Sequence, residues 1–151
     1  MRRALADGYE LDDDPGRIDV DYVFSYLSLE AYWALGRPRE VVERSLAGSA
    51  RVVGLYRAGE QLGFARVISD GAVLAHLADV FVDRAHRGRG LGMELVREAV
   101  DGGPHRDLSW RLDTSDAHGL YAKLGFLERR SPPISMERGA RRGPAAATAR
   151  D

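Results

Sequence analysis

The feature that most constrains this chain is a strand that ends in a basic, glycine-rich turn, from which a helix begins. The segment reads Val80-Phe81-Val82-Asp83-Arg84-Ala85-His86-Arg87-Gly88-Arg89-Gly90-Leu91-Gly92-Met93. The unpaired N–H groups at the start of a helix, together with the positive end of its dipole, form a site for an anion. Glycine residues let a phosphate approach the backbone closely, and Arg87 and Arg89 add positive charge beside it. The segment therefore predicts a phosphate or pyrophosphate ligand at this turn.

Two familiar phosphate-binding loops do not match the turn. A P-loop requires Gly-Lys-Ser/Thr, whereas the single lysine of this chain is Lys123. The dinucleotide-binding fingerprint would begin at Gly88, but Met93 stands where its third glycine belongs. The alternative to a phosphate site is a flexible loop in a chain that is rich in glycine, with 17 such residues.

A second motif lies further along the chain and reads Leu112-Asp113-Thr114-Ser115-Asp116-Ala117-His118-Gly119-Leu120-Tyr121-Ala122-Lys123-Leu124-Gly125-Phe126. The turn motif Arg87-Gly88-Arg89-Gly90-Leu91-Gly92 and this second motif occur in the order and at the spacing of two signatures of one family. On these residues the chain resembles the GNAT superfamily, whose members are acyl-CoA-dependent N-acetyltransferases. The resemblance covers residues 76–126, about a third of the chain.

The resemblance implies acetyl-CoA as the cosubstrate, held by the turn and by the strand before it. In this family the turn binds the pyrophosphate of coenzyme A, a role that falls here on Arg87, Gly88, Arg89, Gly90, Leu91 and Gly92. The strand offers main-chain groups to the pantetheine arm, which behaves like an added half-strand, through Val80, Phe81 and Val82. An N–H of this strand, that of Val80 or of its neighbour, would stabilise the oxyanion.

The reaction that the resemblance implies is transfer of an acetyl group from acetyl-CoA to a primary amine of a small molecule or peptide, by direct attack in a ternary complex. Tyr121 takes the family's role of general acid and protonates the departing thiolate; the alternative is an aromatic side chain packed in the core. The alternative function is a domain that binds acyl-CoA as a sensor or interaction module without turnover. A nucleotide-dependent oxidoreductase is disfavoured because this chain lacks the third glycine of the dinucleotide-binding fingerprint.

The base that accepts the proton of the amine is left open between His76, Asp79 and an ordered water. Strand alternation predicts His76 and Asp79 on opposite faces, with Val82 on the face of His76 and Phe81 on the face of Asp79. Histidine exchanges protons near neutral pH, and apolar surroundings would raise the pKa of Asp79 and make it a base. The alternative for Asp79 is a structural carboxylate that caps the backbone or pairs with an arginine.

Aromatic residues are concentrated in one short segment that we expect to border the acceptor site. Five of the twelve aromatic residues fall within residues 22–33, close to three acidic residues at positions 19, 21 and 30. The functional interpretation is an aromatic, acid-edged pocket for a cationic amine. The alternative is that the aromatic rings pack helices onto the sheet and the acids lie in solvent.

Hydrophobic periodicity predicts the order two helices, three strands, helix, strand, helix, strand. This order indicates an α/β chain of the α+β type, with the GNAT-like arrangement of a mixed, mostly antiparallel central sheet flanked by helices. The predicted helices cover residues 20–35 in some form, 38–46, 91–100 and 117–124, and the predicted strands cover 51–57, 61–68, 73–82, 108–112 and a last segment from 126 onward.

Composition limits the class of protein. The chain has 151 residues and a net charge of −1, which fits one domain and argues against a dedicated nucleic-acid binder. It has no cysteine, so it can form neither disulfides nor a thiolate metal site, and no metal site is predicted. No apolar run approaches the roughly 20 residues that span a bilayer, and no signal peptide is apparent. We therefore expect a cytoplasmic protein with no membrane or nucleic-acid partner.

The expected domain covers residues 1–137, with order beginning near residue 8, and residues 138–151 are expected to form a disordered tail rich in arginine and alanine. The first 21 residues carry seven acidic side chains and three arginines. The expected partner is the amine acceptor, and a homodimer is left open.

Overall fold

The larger of the two units in this chain is built on one six-stranded sheet. The computed structural model describes residues 1–129, Met136 and Arg138, and the chain divides into the units Met1–Asp116 and Ala117–Asp151. The strands lie in chain order across the sheet: β1 (Arg2–Ala4), β2 (Tyr9–Asp12), β3 (Arg51–Arg57), β4 (Glu60–Ser69), β5 (Leu74–Val82) and β6 (Ser109–Arg111). All neighbours are antiparallel except β5 and β6, which are parallel. The predicted mixed, mostly antiparallel sheet is confirmed.

Helices cover both faces of this sheet: α1 (Val20–Leu29), α2 (Arg39–Ala47) and α3 (Leu91–Asp101). Side chains of α1 and α2 share one core cluster with Val52, Phe64 and Phe81 of the sheet. α3 contacts β3, β4 and β5, and its Glu98 pairs with Arg51 of β3. Because successive residues of a strand point to opposite faces, Arg51 and Val52 show that α3 lies on the face opposite to α1 and α2.

The first helix ends earlier than the periodicity predicts. α1 ends at Leu29, and residues 32–36 form turns where the sequence predicts some continuation of helix up to Leu35. Gly36, with a φ of 73°, donates its N–H to the carbonyl of Ser28 at 2.9 Å and closes this segment. Only glycine adopts that conformation without strain, so the chain turns here toward α2.

The prediction that order begins near residue 8 was wrong, because β1 already begins at Arg2 and pairs with β2. In β2, Tyr9 and Leu11 are buried in alternation with two acidic residues. Those acids are not solvated, since Arg17 pairs with Glu10 at 2.7 Å and with Asp12 at 2.6 Å. Apolar and acidic residues therefore alternate along this strand, although the acidic charge of the N-terminal segment does not suggest a strand.

The second unit, Ala117–Asp151, contains α4 (His118–Ala122). α4 confirms the predicted short helix, and Gly125, with a φ of 85°, follows it. Residues 126–129 have no regular structure, and the rest of the predicted last strand lies outside the described residues. Apart from Arg138, the predicted tail also lies outside them and stays a prediction. None of the helices in the described part of the chain has the length and apolar character needed to cross a membrane.

One buried guanidinium ties β3 to α3. Arg51, which is 8% exposed, binds Asp13 at 3.0 Å, the carboxylate of Glu98 at 2.9 Å and the carbonyl of Glu98 at 2.7 Å. Glu98 also binds Arg3 of β1 at 2.9 Å. A Cβ atom at Gly103 would lie 2.6 Å from the Arg51 guanidinium, so a residue without a side chain is needed there. This network holds the end of α3 to the first half of the sheet.

We predict that Arg51→Ala lowers the free energy of unfolding by about 3 kcal/mol, because it leaves buried Glu98 with less than its full set of partners. Arg39→Ala is the control, since Arg39 forms exposed ion pairs with Asp21 and Glu43, and its loss should cost about 0.5 kcal/mol or less. Urea unfolding of both variants measures the difference. Equal effects would show that the Arg51 network contributes no special stability.

Candidate active site

The strand β5 loses its partner on one side part-way along its length. β6 pairs with only the first three residues of β5, and this pairing ends at His76↔Arg111. On its other side, β5 stays paired with β4 as far as Val82. Within the described residues, no strand covers the β6 side of residues 77–82. Backbone N–H and C=O groups of residues 77–81 on that edge therefore have no strand partner in the described part of the chain and can pair with an extended ligand.

A β-bulge interrupts β5 within this open stretch. Asp79 has a φ of 52°, in the left-handed region that favours glycine. Ala78 and Phe81 pair with residues of β4 that are two apart, so Asp79 and Val80 lie opposite a single residue of β4. The bulge leaves an extra residue in β5 at the point where its other edge is open.

The bulge also changes which side chains share a face, so the predicted alternation was wrong beyond Ala78. Phe81 belongs to the core cluster of α1 and α2, on the face of His76, and Val82 points to the opposite face. The side chain of Asp79 likewise reaches the face of α1 and α2, where it binds Arg66. His76 and Asp79 therefore lie on the same face rather than on opposite faces.

Asp79 is held by three donors and is only 6% exposed. Trp33 Nε1 donates to one carboxylate oxygen at 2.9 Å. Arg37 and Arg66 donate to the other oxygen at 2.9 and 2.6 Å. Burial by itself would raise the pKa of Asp79, but the hydrogen bonds and charges of Arg66 and Arg37 outweigh burial and hold this pKa below its ordinary value. The expectation of a raised pKa was wrong, and the alternative of a carboxylate paired with arginine is what the structure shows.

The glycine-rich turn leads from β5 into α3 with an open N-terminus. Gly88 and Gly90 both have a φ of 77°, and Gly90 is the residue before the first turn of α3. Among the described residues, no side chain caps this helix, so the first N–H groups of α3 lack a capping acceptor. A Cβ atom on Gly88 or Gly90 would meet no described atom within 4 Å. This backbone, with left-handed residues at two positions, is the type that concentrates N–H groups on an anion.

The two arginines of the turn differ in their surroundings. Arg87 donates to the carbonyl of Val82 at 2.9 Å and to the hydroxyl of Tyr26 at 2.6 Å, which ties the turn to α1. Arg89 is exposed and forms no ion pair with a described residue. Arg89 therefore has the more accessible charge beside the start of α3, whereas part of the Arg87 guanidinium supports the turn.

Comparison with known proteins identifies the family to which this arrangement belongs. The model of the acetyltransferase (GNAT) domain matches residues 48–128, more than half of the chain. The chain belongs to the GNAT acetyltransferases. The matched segment includes the open edge of β5, the glycine-rich turn and α3.

Individual relatives agree with this assignment. A solved structure from Xanthomonas campestris pv. campestris, described as a candidate acetyltransferase of the GNAT family, is 37% identical; the match covers 87% of this chain and 93% of that chain with a TM-score of 0.78. A candidate acetyltransferase of Gibberella zeae is 28% identical over 81% of each chain. Glucosamine 6-phosphate N-acetyltransferase 1 of Oryza sativa subsp. japonica is 36% identical over 64% of this chain and 58% of that protein.

In this GNAT protein His76 lies where the sheet opens. Its side chain is 34% exposed, and its Nε2 lies 4.0 Å from a carboxylate oxygen of Asp113, which is 98% exposed. No other side chain of the described residues forms an ion pair with His76. His76 is thus accessible at the fork of β5 and β6, as a proton acceptor must be, and its catalytic role stays a prediction.

Tyr121 belongs to the second unit. It lies in α4, its carbonyl accepts the N–H of Phe126 at 3.2 Å, and its ring meets that of Phe126 edge-on with centroids 6.0 Å apart. The loop after α4 therefore folds back onto Tyr121. The role of Tyr121 as general acid stays a prediction that follows from the family resemblance.

Three of the five aromatic residues near α1 pack in or against the core cluster: Tyr22, Phe24 and Tyr26. Tyr26 stacks on Phe81 with ring centroids 3.8 Å apart, and Tyr22 packs beside the same ring. Of the three neighbouring acids, Asp19 caps α1 and Asp21 pairs with Arg39, whereas Glu30 is exposed and lines a cavity beside Asp83 and Arg84. Of the five aromatic residues, the two after α1 remain substantially exposed, at 55% and 41%: Tyr32 and Trp33.

Sequence reasoning missed the partners of Asp79. An acid within an apolar strand predicts some cationic partner, and the sequence analysis included that alternative. The chain contains 21 arginines, however, and nothing in their spacing distinguishes Arg37 and Arg66 from the others. The turn after α1 brings Arg37 to the sheet, and this depends on the end of the helix rather than on a motif.

We predict that Asp79→Asn lowers the free energy of unfolding by about 3 kcal/mol at neutral pH, because two partly buried guanidinium groups lose their carboxylate. The folded-state pKa of Asp79 lies below its unfolded value, so its stabilisation is present above the unfolded pKa and is lost as pH falls. The difference between wild type and variant should therefore persist at pH 6 and shrink only below about pH 4.

Chemical denaturation across this pH range measures that difference. Asp107→Asn is the control, because Asp107 is 91% exposed and its ion pair with Arg106 is exposed as well. A difference that is already lost near pH 6 would mean that the pKa of Asp79 is raised in the folded state, and would contradict the geometry.

Proposed function

We propose that this protein is an N-acetyltransferase that transfers the acetyl group of acetyl-CoA to a primary amine by direct attack in a ternary complex. The observation that carries the proposal is the junction of two adjacent features. The open edge of β5 ends where the glycine-rich turn leads into the uncapped N-terminus of α3. An extended amide chain attached to a pyrophosphate matches both features in that order.

In this proposal the turn receives the pyrophosphate. The N–H groups at the start of α3 and the exposed guanidinium of Arg89 supply donors and positive charge. Left-handed backbone at Gly88 and Gly90 leaves this surface free of side chains. Arg87 has a second role, since its bonds to Val82 and Tyr26 hold the turn in place.

The bulge provides the site for the acyl group. Val80 follows the left-handed Asp79, and we assign the N–H of Val80 or its neighbour to the thioester oxygen as it becomes an oxyanion. The amine nitrogen attacks the carbonyl carbon, the carbon–sulfur bond breaks, and the amine loses one proton. The thiolate of coenzyme A takes up a proton from Tyr121, the residue at the family's general-acid position.

The structure favours His76 or ordered water over Asp79 as the base. Both carboxylate oxygens of Asp79 accept hydrogen bonds from fixed donors, and its lowered pKa makes it a weaker proton acceptor. His76 is partly exposed on the same face of the sheet. A base acting through water remains compatible with the open fork between β5 and β6.

Named relatives support a primary amine as the acceptor. Two rice proteins that match part of this chain are glucosamine 6-phosphate N-acetyltransferases, with 38% and 36% identity over 69 and 98 residues. The acceptor in their name is an amino sugar phosphate, whose amine is the acetylated group. The matched share of those proteins is 40% and 58%, so we take from them the reaction class and not the acceptor itself.

We predict that acetyl-CoA and CoA raise the melting temperature and that NAD does not, because a ligand that binds the native state stabilises it by mass action. Gly90→Val should weaken acetyl-CoA binding at least about tenfold, since it puts a side chain on the anion-binding surface. Gly59→Val is a matched control: Gly59 has a φ of 82° and open space around it, but lies in the β3–β4 turn. Both variants carry similar backbone strain, so equal affinity in the two would place the anion site elsewhere.

We further predict that Tyr121→Phe lowers the rate of acetylation about 100-fold or more while acetyl-CoA affinity is retained, because a general acid contributes about that factor. Release of free thiol with a panel of amines measures the rate, and calorimetry measures the affinity. Wild type that binds acetyl-CoA but acetylates no amine would support the alternative of an acyl-CoA-binding module. Equal rates in variant and wild type would remove Tyr121 from the mechanism.

A further inference from the structure

The cluster around Asp79 contains more positive than negative charge. Arg37 and Arg66 both bind Asp79, and within the described residues neither guanidinium forms an ion pair with a second carboxylate. Two guanidinium groups and one carboxylate leave a net charge of +1 at this position. By contrast, the buried Arg51 has two carboxylate partners, Asp13 and Glu98.

The guanidinium groups of Arg37 and Arg66 also have N–H donors that make no hydrogen bond to a described residue. Arg37 binds Asp79 through one terminal nitrogen and Arg66 through its Nε. An arginine has five N–H donors, and no further hydrogen bond joins either guanidinium to the described residues. The two side chains are 23% and 13% exposed, so they are accessible from one side. Asp79 holds both guanidinium groups in fixed positions but accepts only one hydrogen bond from each of them.

These donors lie on the face of the sheet that also carries His76. Asp79 directly precedes Val80 at the open edge of β5, and His76 lies on the same face. Trp33, whose ring nitrogen also binds Asp79, is 41% exposed and forms one wall beside the cluster. Tyr32 packs edge-on against Trp33, and Ser115 Oγ donates to its hydroxyl at 2.6 Å. Aromatic rings and unused cationic donors thus border the bulge together.

We propose that Arg37 and Arg66 bind an anionic group of the acceptor, so that the substrate carries a carboxylate or a phosphate besides its amine. This inference rests on the proposed function and assigns its substrate class. Guanidinium groups bind both kinds of anion through paired hydrogen bonds, and their charge is not lost at any physiological pH. A polyamine, which carries no anionic group, would meet repulsion at this cluster.

Matched acceptors test the proposal. Phosphoethanolamine is compared with ethanolamine, and phenylalanine with phenylalaninamide, so that one arm reports on phosphate and the other on carboxylate. The quantity measured is the ratio of kcat/KM for the anionic and the neutral member of each pair. Because the change in this ratio between wild type and variant is compared, differences in the intrinsic reactivity of the amines cancel.

Arg37→Gln should lower the ratio about 10- to 100-fold in at least one pair, which is the range expected for loss of a charged hydrogen bond. Arg37→Lys should retain much of the preference, because lysine keeps the positive charge, although it cannot form the paired hydrogen bonds of a guanidinium. Asp79→Asn raises the net charge of the cluster to +2, so the variant should prefer anionic acceptors at least as strongly as wild type, even though it is less stable. Arg66→Gln serves as the second variant if one of these does not fold.

The matched control is Arg39→Gln, because Arg39 is exposed on α2 and paired with Asp21 and Glu43. It should leave the ratio unchanged. If Arg37 and Arg66 were only structural, their variants would lose activity toward both members of a pair equally, and the proposal would be wrong. A rise in the KM for acetyl-CoA alone would show that the cluster binds the acetyl donor rather than the acceptor, and would also overturn the proposal.

Failure of the proposed function can be told apart from failure of this inference. If wild type releases no thiol with any amine, the proposed acetylation fails, and calorimetric titration with phosphoethanolamine and ethanolamine then tests the anion site directly. Binding of phosphoethanolamine that is weakened in Arg37→Gln but retained in Arg39→Gln supports the site. Equal binding of both molecules, or none, contradicts it.

Discussion

A carboxylate that is almost wholly removed from water keeps its charge only if other groups replace the lost hydration. Asp79 meets this condition through Arg37, Arg66 and Trp33, which come from the turn after α1 and from β4. These bonds hold a non-glycine residue in a left-handed conformation that costs free energy by itself. The bulge, the faces of the following residues and the position of the turn after α1 all depend on this cluster.

The cluster also separates two regions with different chemistry. On one side, the open edge of β5 leads to the glycine-rich turn, where backbone N–H groups and Arg89 suit the pyrophosphate of a donor. On the other side, two guanidinium groups and exposed aromatic rings border the approach to the same edge. The region of the glycine-rich turn and the region of the Asp79 cluster thus have separate sources of positive charge. In the proposed reaction, backbone dipoles would bind the donor and arginine side chains would bind the acceptor.

Much of the fold could be predicted because its signals are local. The glycine-rich turn, the hairpin of β3 and β4 and the short α4 all follow from residue types that favour turns or caps at fixed positions. Gly88 and Gly90 adopt the left-handed backbone that such a turn requires. The open edge of β5 leaves the strand geometry that the predicted ligand needs, while the binding of that ligand stays a prediction.

The remaining features depend on contacts between distant residues. A bulge at Asp79 has no sequence signal of its own, because the residue is not glycine and its conformation is imposed by partners 13 and 42 positions away. One extra residue in a strand reverses every later assignment to a face, which is why Phe81 and Val82 were predicted on the wrong sides. The strand β2 was missed because its acids are neutralised by Arg17, a pairing that only the folded chain brings about.

The proposed function depends most on the binding of acetyl-CoA along the open edge of β5 and at the start of α3. Amide hydrogen exchange of the full chain, with and without acetyl-CoA, tests this binding residue by residue. We predict that added acetyl-CoA slows exchange in residues 77–82 and 88–93, whereas the turn between β3 and β4 is unaffected. Protection that appears elsewhere and leaves residues 77–82 unchanged would contradict it.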